Sequence, residues 1–394
     1  MEQLPTVHRF RRQGKAVERM DSKTIVISIN SAWNIYNFRK DLILALQREG
    51  WTIVALAPED DYSGRLADLG VVFDPLPIDQ RGISPVKDLL LLARYRAALA
   101  RIRPAVFLGY TIKPNIWGSL AAHSLGIPVI NNISGLGTAF IRDNLLTRIA
   151  IFLYRLALRS SAVVFFQNAT DRDLFVDKRM VRADQARLLP GSGIDPDYFQ
   201  PRPDRGKDGE FHFLLIGRML RDKGVGEYVE AARRVRAQHP AARFLLLGAA
   251  DAANRTAISR AQVDAWVAQG LVVYLPACDD VRPHIAAADC IVLPSYREGL
   301  PRSLLEGAAM AKPLIATDVP GCRDVVRPGE NGLLCAVQDA ASLADAMVAM
   351  LDADEKQRRS MGINGRSMVE RDFDQQIVID RYVEAIRSLV EPQQ

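Results

Sequence analysis

Cysteine and histidine are scarce in this chain. Its 394 residues include four cysteines, Cys278, Cys290, Cys322 and Cys335, and five histidines. No two cysteines stand within ten residues of one another, which excludes a C-x-x-C redox or zinc pair. No disulfide framework is suggested, and a reducing, cytoplasmic environment is the expectation. The histidines are scattered, without the H-E-x-x-H spacing of a metalloprotease, and none is assigned to catalysis. No run of eighteen apolar residues occurs, which excludes an ordinary membrane-spanning helix. The dinucleotide fingerprint G-x-G-x-x-G is missing: the first strand-like run leads into Ser31-Ala-Trp-Asn34, and Gly191-Ser-Gly193 is followed by no third glycine. NAD and FAD are therefore not expected. There is no P-loop. The D-x-D pairs Asp171/Asp173, Asp195/Asp197, Asp352/Asp354 and Asp372/Asp374 fall in helical or turn patterns and read as structural, so no metal site is expected.

What remains is an ordinary globular composition, 48% apolar and 25% charged, long enough for two cores. Charge is divided unequally. Residues 1–190 hold 26 Lys and Arg against 17 Asp and Glu, a net +9, and residues 191–394 hold 25 against 29, a net −4. A basic front half suits an anionic partner such as a membrane surface or a phosphate. No basic run interleaved with aromatics supports nucleic-acid binding. Residues 1–22 carry Arg9, Arg11, Arg12, Lys15 and Arg19 without an apolar stretch. They read as a basic, disordered tail and not as a signal peptide.

Short aliphatic runs alternate with helical patterns along the chain. In the first half they are Thr24–Asn30, Thr52–Pro58, Val71–Pro77, Ala105–Tyr110, Pro128–Ile133 and Ala162–Gln167. In the second they are Phe211–Gly217, Arg243–Gly248, Leu271–Pro276, Cys290–Pro294, Pro313–Thr317 and Gly332–Val337. Near-continuous apolar runs of this length read as strands buried on both faces of a parallel sheet. The polar, proline- and glycine-rich stretch from Pro201 separates the two series. The fold class expected is α/β, with two doubly wound, Rossmann-like domains facing across a cleft, over residues 23–190 and 191–374. Ligands in such sheets bind beyond the carboxyl ends of the strands.

Two stretches fall there. In Leu293-Pro-Ser-Tyr-Arg-Glu298-Gly-Leu-Pro301 a buried strand meets a loop, and a helix opens near Pro301. The free N–H groups of Leu300, Arg302 and Ser303 would form an anion site. Glu298 lies just ahead of that helix and Glu306 two turns in, so the pair could hold hydroxyls at both ends of a bound anion. Two solvated glutamates would give the same pattern. In Gly217-Arg218-Met-Leu-Arg-Asp-Lys223, a strand-to-helix loop carries two cations five residues apart, a spacing that suits a diphosphate.

Taken together with Gly191-Ser-Gly-Ile-Asp195, Pro320-Gly321 and Gly329-Glu-Asn-Gly332, these stretches resemble family 4 of the retaining GT-B glycosyltransferases. The first half, with Asn34-Ile-Tyr-Asn-Phe-Arg39, Lys113-Pro-Asn-Ile-Trp-Gly118 and Asn132-Ile-Ser-Gly-Leu-Gly137, is similar to bacterial members that build saccharide repeat units on polyprenyl diphosphate. The resemblance runs over roughly residues 23–390. It implies Glu298, Arg218 and Lys223 as catalytic residues. Arg218 and Lys223 would grip the donor diphosphate, Glu306 the ribose, and Glu298 the donor sugar. Gly299, Leu300 and Ser303 would line the phosphates, and the base would lie by Cys278. Asn34, Arg39, Thr111, Lys113, Ser134 and Gly135 are the candidates for the acceptor side of the cleft. The resemblance further implies a UDP-linked hexose or N-acetylhexosamine donor, no metal or other cofactor, and a polyprenyl-diphosphate-linked saccharide acceptor. It implies a peripheral place on the inner face of the cell membrane, and a C-terminal helix, residues 375–394, returning to the first domain. A non-hydrolysing UDP-sugar 2-epimerase and a catalytically silent nucleotide-sugar binder are the competing readings. Two departures stand out: Ile112 occupies a position where many members carry histidine, and Ala32-Trp33-Asn34 replaces a glycine-rich loop.

Overall fold

A computed structural model describes residues 23–79, 84–136, 145–202, 209–250, 254 and 256–390. The expected tail, residues 1–22, and most of the Pro201 linker lie outside these residues.

Seven strands form the first sheet: β1 (Thr24–Ser28), β2 (Thr52–Ala57), β3 (Val72–Pro75), β4 (Val106–Tyr110), β5 (Val129–Ile133), β6 (Val163–Phe166) and β7 (Ala186–Leu188). Six form the second: β8 (Phe211–Ile216), β9 (Ala242–Leu247), β10 (Val273–Leu275), β11 (Cys290–Leu293), β12 (Leu314–Thr317) and β13 (Gly332–Cys335). Their orders are β3-β2-β1-β4-β5-β6-β7 and β10-β9-β8-β11-β12-β13, with every pairing parallel. This is the expected pair of doubly wound sheets. Each apolar run identified in the sequence coincides with one strand, β9 starting one residue ahead of its run. Strand β7 is the addition; at three residues, with Arg187 exposed, it carries no apolar run to betray it.

The central strands are buried along their whole length, which is why they lack an alternating pattern. Ile25, Ile27, Ile53 and Leu108 belong to the core on one side of the first sheet, and Val26, Val54, Leu56 and Phe107 to that on the other. The second sheet is sandwiched likewise. The helix Gln375–Val390 packs Val378, Ile379, Tyr382, Ala385 and Ile386 into the core of the first sheet. A backbone bridge between Ile194 and Asp374 ties its start to the crossing between the sheets.

In both sheets the winding reverses beside the first strand of the series, between β1 and β4 and between β8 and β11. The carboxyl ends of those strands are where a doubly wound sheet opens a crevice.

Candidate active site

Both crevices open into one cavity of about 510 Å³, a volume suited to a small-molecule ligand. Its first wall comes from the ends of β1, β4 and β5: Asn30, Thr111, Ile112, Lys113, Asn115, Ser134 and Gly135. The facing wall comes from the ends of β8 and β11: Arg218, Asp222, Lys223 and Tyr296 to Gly299.

Local geometry explains how each group is held. Lys223 ends a single helical turn, Arg221–Lys223, and Gly224 follows with φ 71°. A Cβ on Gly224 would stand 2.0 Å from the Pro294 carbonyl oxygen, so only glycine lets this turn lie against the end of β11. Lys223 is thereby brought to Glu298, Nζ to Oε1 2.5 Å, in a mostly buried pair. Ser295 Oγ donates to the same carboxylate oxygen at 2.5 Å. Arg218 is exposed, and its guanidinium has no hydrogen-bond or ion-pair partner among the described residues. The site therefore offers one free guanidinium, plus an ammonium already balanced by a carboxylate.

The helix Arg302–Ala309 follows at once, with Pro301 as its first flanking residue. The N–H groups of Leu300, Arg302 and Ser303 have no acceptor among the described residues. They are the unpaired donors that any helix start presents. Glu306 lies within this helix, as expected. It is 9% exposed and does not line the cavity. Arg302, four residues earlier, donates from Nε to Glu306 Oε1 at 2.9 Å and from Nη1 to Ser192 Oγ at 3.2 Å. Burial pushes the Glu306 carboxyl above its ordinary pKa, and Arg302 pulls it back. A ligand hydroxyl reaching Glu306 would share it with Arg302. The i, i+4 spacing carried that signal.

Of the other expected donor residues, Gly299 lines the cavity. Leu300 packs on Gly191, and Cys278 is exposed on the loop after β10. On the first wall, Thr111, Lys113, Ser134 and Gly135 line the cavity, with Lys113 paired to Asp88 at 2.8 Å. Thr111 adopts φ 59°, an uncommon conformation for a β-branched residue and one met at functional sites. Asn34 and Arg39 do not line the cavity. The N–H of Asn34 donates to the helix-capping Ser31 hydroxyl at 3.2 Å. Arg39 is 4% exposed, its guanidinium 4.4 Å over the Tyr110 ring, because the helix Ala32–Arg48 turns that position inward. A buried network supports the wall from below: Asn131 Nδ2 donates to Asn115 Oδ1 at 2.9 Å and to Ser119 Oγ at 2.8 Å, and Asn115 Nδ2 donates to the Asn132 carbonyl at 2.9 Å.

Two family models divide the chain at the same place as the sheets. Residues 38–192 match the glycosyl transferase 4-like domain, and residues 210–353 match the glycosyl transferases group 1 family. The chain belongs to the group 1 glycosyltransferases. Relatives of this glycosyltransferase include the N,N'-diacetylbacillosaminyl-diphospho-undecaprenol alpha-1,3-N-acetylgalactosaminyltransferase of Campylobacter jejuni, 27% identical over 369 residues that cover 89% of this chain and 94% of the relative. The UDP-Gal:alpha-D-GlcNAc-diphosphoundecaprenol alpha-1,3-galactosyltransferase of Escherichia coli is 24% identical over 308 residues, covering 74% and 79%. Among solved structures, the Anabaena protein HepE in complex with UDP-glucose is similar with a TM-score of 0.77 at 17% identity, covering 93% of this chain and 99% of that one. The sucrose-phosphate synthase of Thermosynechococcus elongatus gives 0.76 at 21% identity, covering 94% and 100%. These likenesses establish the GT-B fold.

Proposed function

We propose that this glycosyltransferase moves a hexose or N-acetylhexosamine from a UDP-sugar to a polyprenyl-diphosphate-linked saccharide, with retention at the anomeric carbon and without a metal ion. The observation that carries the donor side is that Arg218 and Lys223 line the cavity together with Glu298, in the loop that leads directly into the helix Arg302–Ala309. Two cations and a helix start neutralise a departing diphosphate in the way a divalent cation would. In the reaction the bond from C1 to the phosphate oxygen breaks, a bond from C1 to the acceptor oxygen forms on the same face, and the acceptor proton passes to the leaving phosphate oxygen. Glu298 stabilises the positive charge that builds on the sugar, and Lys223 turns from Glu298 toward the departing phosphate. The acceptor side rests on the two relatives above, whose names both specify a saccharide on undecaprenyl diphosphate.

Such an acceptor lies in a membrane, and two helices of the first domain fit a place on its inner surface. Among the described residues, no helix is long and apolar enough to cross a bilayer. The helices Pro85–Ile102 and Leu145–Leu158 both lie against the segment Pro114–His123, on one face of the first sheet. Their outer sides expose Val86, Leu89 and Leu90 on one and Ile149, Phe152 and Leu156 on the other. Arg148 and Arg155, exposed on the second helix, and Arg159 just beyond it run alongside that apolar stripe, and no acidic residue falls within the helix. Apolar side chains flanked by arginine suit shallow insertion among anionic headgroups.

A thermal-shift screen of nucleotide sugars tests the donor. It should be followed by transfer from the stabilising sugar to lipid-linked saccharides, with the product's anomeric configuration read by NMR. A stabilising UDP-sugar and an α-linked product from an α-linked donor are expected. Interconversion of the free nucleotide sugar with no acceptor would give the epimerase reading instead.

A further inference from the structure

The loop that presents Glu298 is held from the opposite domain. Arg297 and Glu298 are adjacent in the chain and point opposite ways. Glu298 meets Lys223 and Ser295 of its own domain, whereas Arg297 Nη2 donates to Asp171 Oδ1 on the first domain. Asp171 is 1% exposed and does not line the cavity. It sits in the first turn of the helix Ala169–Asp177, whose capping residue Asn168 accepts from the Asp171 N–H at 2.8 Å. Asn168 Nδ2 then reaches across the domain boundary and donates to the Gly299 carbonyl at 2.8 Å. The backbones also meet: a Cβ on Gly299 would stand 2.2 Å from the Ser134 carbonyl oxygen. Residues on both sides of Glu298 are thus fastened to the first domain.

We propose that Asp171 and Asn168, acting on Arg297 and Gly299, form an inter-domain latch that positions Glu298 only when the domains are closed. Asp171 does not line the cavity, whereas Arg297 does, so the effect of Asp171 on turnover passes through Arg297. The pair is shielded from water, where an ion pair is screened little and its loss leaves an unpaired charge. Sugar transfer and closure are thereby joined in one loop, while the nucleoside diphosphate, gripped by the second domain, binds whether or not the latch is made. The kinetic half of this proposal rests on the transferase reading above; the closure half does not.

The test uses the full chain and the variants Asp171→Asn, Arg297→Gln, Arg297→Lys and the double Asp171→Asn/Arg297→Gln. With the donor and acceptor established for the wild type, each neutralising variant should lower kcat on the order of 10–100-fold, the scale of a misplaced catalytic group. In Asp171→Asn, UDP affinity should stay within about twofold, since Asp171 does not line the cavity and its loss leaves the diphosphate contacts intact. The double variant should be no worse than the weaker single one, and Arg297→Lys should recover part of the loss. Small-angle scattering of the UDP complex should show a larger radius of gyration in both neutralising variants. Wild-type kcat in Asp171→Asn, a double variant that loses the product of both single effects, or unchanged scattering would each overturn the latch. If Asp171→Asn does not fold, Arg297→Gln and Arg297→Lys decide. If the wild type transfers no sugar, the functional reading fails and scattering alone decides the latch.

Discussion

Glu298 is the residue on which the proposed chemistry turns. Its carboxylate is placed by Ser295 and Lys223, both within 2.5 Å. Replacing it by glutamine keeps the shape and removes the charge proposed to face the growing oxocarbenium. Turnover should fall roughly 10²–10³-fold, the usual cost of one lost transition-state contact, with UDP binding little changed; initial rates beside calorimetric UDP titration check both. Lys223→Ala should weaken UDP by about 1.5–3 kcal/mol, the worth of a charge-assisted bond to phosphate. Cysteine chemistry probes the base site. Burial raises the Cys290 and Cys322 thiols well above their ordinary pKa and Cys335 to about 12, and all three side chains are enclosed. Cys278 is raised by partial desolvation but exposed. Iodoacetamide should therefore modify one thiol in the native protein and four after denaturation. Because the thiolate is the nucleophile, native labelling should quicken as pH rises toward the raised Cys278 value. UDP should slow it, since the resemblance places the base by Cys278; mass spectrometry of the adducts reads each outcome. Much of this site is legible in sequence, since Glu298, Lys223 and Arg218 follow directly on apolar strand runs. Arg297 and Asp171 are not. They stand 126 residues apart, and nothing in either local pattern announces a partner in another domain. Arg39 looks like any basic position of an amphipathic helix until the fold turns it onto Tyr110.

At the scale of elements, all twelve apolar runs coincide with strands, because a strand covered on both faces has to be apolar throughout. Helix starts are harder to read. The helix Ala32–Arg48 starts where Ser31 caps it, ahead of an exposed Trp33 that interrupts the apolar periodicity. The helix Leu145–Leu158 carries its own lesson. Its apolar residues are divided only by folding: Tyr154, Ala157 and Leu158 go inward, and Ile149, Phe152 and Leu156 remain outside. Flotation with vesicles containing anionic lipid should carry the wild type upward. A variant with Arg148, Arg155 and Arg159 changed to glutamate should remain in the dense fraction at unchanged melting temperature, since each basic residue contributes about 1 kcal/mol near such a surface. Equal flotation of the two would make this side an ordinary solvated face.

At the scale of the molecule, the charge division of the sequence maps onto the two sheets. The basic half bears the proposed membrane helices and the acceptor wall; the acidic half bears the cations and helix start proposed to hold the donor. The reaction joins them only across the cavity, where Gly299 and Ser134 touch. The most direct measurement is transfer of labelled sugar from a UDP-sugar donor to a synthetic polyprenyl-diphosphate-linked saccharide, in EDTA, with the wild type beside Glu298→Gln. The account predicts release of UDP matched by elongation of the lipid-linked saccharide in the wild type, undiminished by EDTA, and loss of most of it in the variant. Activity abolished by EDTA and restored by Mg²⁺, or equal turnover by the Glu298→Gln enzyme, would contradict it.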